Sequence, residues 1–146
     1  MFFQVFSKYT TALRELYSTF FDLAQMFNPP FLRRYILHML KREDWEAAVE
    51  KGIYQPESIE KEGFIHCSLP DMLVTVANGL YLGLTDMIIL VLDADKIEAP
   101  LVYEDCYETG HDFPHIYGSI TPDCVIKIVD FPCDADGQFT LPAELA

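Results

Sequence analysis

Asp86-Met87-Ile88-Ile89-Leu90-Val91-Leu92-Asp93 is an unbroken apolar run between two aspartates. A strand with no polar alternation is buried on both faces, so this run predicts the central strand of a sheet. Working outward, Tyr35–Leu40, Gly63–Ser68, Leu101–Glu104, Ile116–Ile120 and Val125–Phe131 read as further strands. Glu43–Lys51 reads as a short helix with Trp45, Ala48 and Val49 on its inner side, and Gly52 suits its left-handed end. Leu69–Leu82 reads as a second core helix, packed through Met72, Leu73, Val76, Ala77 and Leu80 and ended by Gly83, with Ser68 as its N-cap. Tyr54–Ser58 and Asp105–Asp112 read as loops, and the tail from Pro132 as irregular. About six strands with few helices and no regular strand–helix alternation predict an α+β domain.

Residues 2–27 read as an amphipathic helix, with Phe2, Phe6, Tyr9, Leu13, Leu16, Phe20, Leu23 and Phe27 spaced by three or four, and Asn28-Pro29-Pro30 stops it. Such a helix packs on its own domain or on its counterpart in a homodimer. An interfacial membrane helix is the alternative, disfavoured by its few basic residues. The expected organisation is therefore a helical extension over 1–32, a domain over 33–133 and a tail over 134–146.

Net charge is −13, and its distribution is uneven. Residues 1–53 hold seven Lys/Arg and six Asp/Glu; residues 54–146 hold three Lys and seventeen Asp/Glu. An acidic surface repels phosphate backbones, which argues against general nucleic-acid binding. No uncharged run approaches the roughly 20 residues of a membrane span, and no signal-peptide pattern opens the chain. Cys67, Cys106, Cys124 and Cys133 form no CxxC pair, so reduced thiols in a cytoplasmic protein are expected.

Two runs place histidines among strand-forming residues: Gly63-Phe64-Ile65-His66-Cys67-Ser68 and Phe113-Pro114-His115-Ile116-Tyr117-Gly118. On a strand, His66 and Ser68 share a face while Cys67 takes the other. Ser68 then serves as a helix cap, as part of an anion site at the helix N-terminus, or as both. His38 interrupts the first strand, either as a satisfied core residue or as a ligand contact. Glu104 ends a strand, either in solvent or aimed into a cleft. His111 and His115 are four apart, but Pro114 prevents a helix between them. A carboxylate, Cys67 or Cys106 would have to complete a metal set, and no spacing signature supports one, so no metal is expected.

From Tyr35 to about Phe131 the chain resembles the bacterial family catalogued as domain of unknown function 952. The stretches that carry the resemblance are Tyr35-Ile36-Leu37-His38, Asp44-Trp45-Glu46-Ala47-Ala48, Glu62-Gly63-Phe64-Ile65-His66-Cys67-Ser68, Tyr103-Glu104 and Phe113–Gly118. That family looks like a compact form of the ADP-ribosyltransferase fold, a small, split, bent mixed sheet with a cleft between its halves. The resemblance implies a nucleotide ligand, NAD or ADP-ribose-like, and an NAD-dependent transferase or glycohydrolase activity. It implies His38 as one ligand contact, Ser68 or His66 as the next, and Glu104 as the carboxylate at the nicotinamide ribose. Tyr117 as a further ligand contact and His115 as a proton donor or acceptor have no equivalent in the transferase pattern and are read from this chain's own residues. The competing readings are a non-catalytic binding or dimerisation module and a small metal-dependent hydrolase.

Overall fold

The computed structural model describes residues 35–146; the helix expected over 2–27, and with it the homodimer reading, lies outside the described residues. Strand β1 (Tyr35–Lys41) leads into helix α1 (Arg42–Lys51) and the short helix α2 (Glu57–Glu62). Strand β2 (Ile65–His66), helix α3 (Pro70–Leu80) and strand β3 (Met87–Asp93) follow. Strands β4 (Leu101–Glu104), β5 (Phe113–Ile116) and β6 (Val125–Asp130) complete an α+β domain.

The strands form two three-stranded sheets, β1-β3-β6 and β2-β5-β4. Every pairing is antiparallel, which corrects the expectation of a mixed sheet. Only β4 and β5 are consecutive in the chain; the other neighbours are joined by long connections that carry helices or other strands. The apolar run Met87–Asp93 is indeed central, flanked by β1 and β6 and buried from Met87 to Leu92. The two sheets meet where Leu37 and Ser68 pair: Ser68 N–H donates to the Leu37 carbonyl at 2.7 Å, and Leu37 N–H returns a bond at 2.9 Å.

Alternation along β1 splits the interior in two. Ile36 and Leu40 enter a core with Trp45, Tyr54, Ile65, Ile116 and Leu90. Leu37 and Met39 enter a second core with Leu73, Ala77, Phe131 and Phe139. Helix α3 covers that second face.

Several local expectations change. Val49 and Leu80 are exposed, while Trp45 and Ala48 on α1 and Leu73 and Ala77 on α3 are buried. Ser68 does not cap α3. Its backbone is committed to Leu37, so Leu69 is the N-cap, without a side-chain bond, and Pro70 opens the helix with its φ already set. Tyr81 rather than Gly83 ends α3. Within Tyr54–Ser58, Glu57 already begins α2, whose Gly63 cap adopts a left-handed φ of 93°. The strand expected over 116–120 lies earlier, over Phe113–Ile116. Pro114 lacks a donor, but its carbonyl accepts from Cys67 N–H at 2.9 Å, so the pairing with β2 survives. The tail has little regular structure yet is docked: Phe139 is buried, and Asn78 both donates to and accepts from its backbone.

Candidate functional site

The second sheet has a chemical face and a packing face. Ile65, Cys67 and Ile116 point into the core. The alternate positions Phe64, His66, Val102, Glu104, Phe113, His115 and Tyr117 share the other side, as period-two alternation requires. Because β2 and β5 are antiparallel in this register, His66 and His115 are direct partners, with ring centroids 5.4 Å apart and nearly perpendicular. Phe64 stacks on His115 at 4.0 Å and meets His66 edge-on at 4.8 Å.

Each histidine is held by a glutamate that also accepts from a tyrosine. Glu62 accepts from His66 Nε2–H at 2.5 Å and from the Tyr107 hydroxyl at 2.8 Å. Glu104 accepts from His115 Nδ1–H at 3.0 Å and from the Tyr117 hydroxyl. Ionised carboxylates only accept, so these contacts place the proton on Nε2 of His66 and on Nδ1 of His115. The bonds from His66 and Tyr107 hold the Glu62 carboxyl below its ordinary range. At Glu104, burial pushes upward, but the bonds from Tyr117, His115 and Cys106 together outweigh it and the carboxyl lies low. Burial keeps His115 below the usual imidazole value despite its Glu104 partner. Burial and the Glu62 bond push the Tyr107 phenol up to about 12.

A cleft of about 650 Å³ opens where the sheets diverge. Leu37 and Met39 of β1 and Val76 and Tyr81 of the α3 end give its apolar walls. Glu62, His66 and Tyr107 give its polar end, with Ser68 also on the wall. No Lys or Arg is among the described residues that line it.

The expected residues therefore divide into three groups. His66 and Ser68 line the cleft. Glu104, His115 and Tyr117 form the cluster beside it, connected through the His66 ring. His38 stands apart in the core: its Nδ1–H donates to the His66 carbonyl at 2.6 Å, and its Nε2 accepts from the Tyr54 hydroxyl at 2.8 Å. Burial lowers its pKa to about 4, so the ring is neutral. Two amides at this junction are already committed, since Ser68 N–H serves Leu37 and Cys67 N–H serves Pro114. His111 is exposed in the loop before β5.

Sequence reasoning missed Glu62 and Tyr107 as site residues. Glu62 carried a legible signal, four residues before His66 and just before a glycine able to turn the chain back. Tyr107 carried none, since loop closure alone brings it to Glu62.

The fold and this paired arrangement define a small α+β domain with a histidine- and glutamate-lined cleft. The chain belongs to the family described as Protein of unknown function (DUF952), whose model matches residues 39–128. The crystal structure of protein CC0527 from Caulobacter crescentus is similar, with 27% identity over 77% of this chain and 98% of that one and a TM-score of 0.70. The solution NMR structure of CC0527 matches at 26% identity over 77% and 97%, with a TM-score of 0.61. No curated protein matches. These similarities establish the family; a likeness to ADP-ribosyltransferases is not shown by them. Among the described residues, no helix is long and apolar enough to cross a membrane.

Proposed function

We propose that the cleft binds the nicotinamide–ribose end of NAD or of a related nucleoside and supports cleavage of its N-glycosidic bond. The observation that carries this reading is the cleft itself: its volume falls within the range of small-molecule sites, its walls are apolar, and its polar end is the Glu62–His66–Tyr107 set. The lining bears a carboxylate and no lysine or arginine, which suits a cationic ring rather than a pyrophosphate. The phosphates of the ligand stay in solvent on this reading.

The carboxylate beside the ribose is then Glu62, in the role that the resemblance assigns to Glu104. It stabilises the positive charge that builds at C1′ as the C1′–N bond lengthens. Nicotinamide leaves as the neutral base with the bonding pair. Water, or an acceptor hydroxyl, adds to C1′ and gives its proton to His66 Nδ1, whose other nitrogen is fixed by Glu62. Glu104 and His115 act as the positioning pair behind His66, and His38 steadies β2 through the His66 carbonyl. Calorimetry with NAD, nicotinamide riboside and ADP-ribose tests the reading. NAD and nicotinamide riboside bind, and ADP-ribose, lacking the cationic ring, binds more weakly. No heat from any of the three at millimolar concentration overturns it.

A further inference from the structure

We propose that Glu104, Cys106 and His115 form a zinc site beside the cleft, completed by solvent as a fourth ligand. Their donor atoms all lie within 4.8 Å of one another. They come from two neighbouring strands and the turn leaving β4, so the tertiary structure rather than sequence spacing assembles them. Tetrahedral zinc, with bonds of about 2.1 Å to nitrogen and about 2.3 Å to sulfur, holds those donors about 3.6 Å apart and nitrogen and oxygen about 3.4 Å apart. Here His115 Nδ1 is 3.7 Å from Cys106 Sγ and 3.0 Å from Glu104 Oε1. The third pair, Glu104 and Cys106, lies within the same 4.8 Å, against about 3.6 Å in a tetrahedral set, so side-chain movement of at most about 1 Å closes it.

The surroundings suit the metal. His115 is buried and locked against Phe64 by stacking, so its ring keeps one orientation. Tyr117 bonds Glu104 from outside the donor set, as outer partners of ligating carboxylates do. Cys106 is exposed and provides the route of entry. Nitrogen, sulfur and oxygen donors together favour zinc over the hard, oxygen-seeking cations. Three protein ligands with one open position are also the pattern of reactive rather than purely structural zinc.

Binding has a defined proton balance. The Cys106 thiol releases its proton to solvent. His115 exchanges its Nδ1 proton for one on Nε2, with no net change, as the nitrogen lone pair turns to the metal. One proton is therefore released per zinc, and the Glu104–His115 hydrogen bond gives way to coordination.

The test uses the full chain treated with EDTA and no nucleotide. Zinc titration saturates at one equivalent, and calorimetry in buffers of different ionisation enthalpy reads one proton released. Cobalt(II) in place of zinc gives thiolate-to-metal absorption. Cys106→Ser abolishes that absorption and weakens zinc by at least about 100-fold, whereas Tyr117→Phe costs roughly tenfold. Cys133→Ser leaves both unchanged. Zinc affinity undiminished in Cys106→Ser, or a cobalt complex without thiolate absorption, overturns the site. The inference does not rest on the nucleotide reading: NAD titration of the EDTA-treated protein fails or succeeds separately.

Discussion

His66 and His115 face each other across the β2–β5 ladder, and each is tethered to its own glutamate. The two carboxylates hold the rings at a fixed angle. One ring forms part of a cleft wall, and the other is sealed behind Phe64. Two histidines in one sheet therefore have different access to solvent and different tasks.

Glu62→Gln separates binding from folding. Glu62 lies at the surface, so its bonds to His66 and Tyr107 contribute little to stability, within about 1 kcal/mol. The amide cannot match the carboxylate's charge or accept through both positions. Affinity for NAD falls about tenfold, the equivalent of about 1.4 kcal/mol, while the urea midpoint barely moves. Calorimetry and urea unfolding of the same sample check both halves.

Gly63→Ala strains the turn that brings Glu62 to His66. Gly63 has a φ of 93°, and its N–H closes α2 onto the Ser58 and Ile59 carbonyls. A Cβ meets no neighbour there, so the cost is conformational and about 1–2 kcal/mol. Gly118→Ala fails for a different reason, because its new Cβ would lie 2.8 Å from Ala99 Cβ. Urea unfolding shows both losses, and only Gly63→Ala also weakens ligand binding.

Burial of neutral His38 makes stability depend on pH. The unfolded ring takes its proton near pH 6.5, the folded ring only near pH 4. Between those values the unfolded state binds more protons, so stability is full above pH 6.5, falls as pH drops, and stops falling from this cause below pH 4. The effect reaches at most ~3 kcal/mol. His115, also lowered by burial, adds slope in the same direction. The diagnostic is therefore the difference between wild type and His38→Asn, whose amide retains a donor for the His66 carbonyl. The variant loses about 1–2 kcal/mol at pH 7, where Tyr54 lacks its acceptor, and the gap closes and then reverses as pH falls toward 4, because only wild type carries the larger pH-dependent loss. Denaturant melts across that pH range provide the measurement.

Phe139→Ala undocks the tail. Its ring is buried, 4.7 Å from the Phe131 ring and within the second core. Truncation costs about 3–5 kcal/mol and exposes residues 134–146 to protease. Asn78→Ala removes both bonds to the Phe139 backbone and costs less, about 1–3 kcal/mol. Limited proteolysis followed by mass spectrometry ranks the two variants against wild type.

The α+β class was legible because it rests on local pattern. The continuous apolar run at Met87–Asp93 specified a strand buried on both faces, and Trp45 with Ala48 marked the inner side of α1. Alternation also showed that His66 and Ser68 share a face. The start of β5 was not legible, because Pro114 lacks a donor and pairs only through its carbonyl. Ser68 misled the cap, because a serine before a proline-led helix is chemically suited to capping and only its pairing with Leu37 forbids it.

The sequence by itself determined which residues prefer strands, which faces are apolar, and that histidines lie on strands beside hydroxyl and thiol groups. These are properties of neighbours within a few residues, and period-two geometry transmits them directly. Tertiary structure alone decided that His66 opposes His115, that Glu62 rather than Glu104 reaches the cleft, that Cys106 joins Glu104 and His115, and that His38 turns inward to Tyr54. Those outcomes depend on antiparallel register and loop closure. Both are settled by the burial of the two cores over the whole domain, a sum that no short stretch of the chain contains.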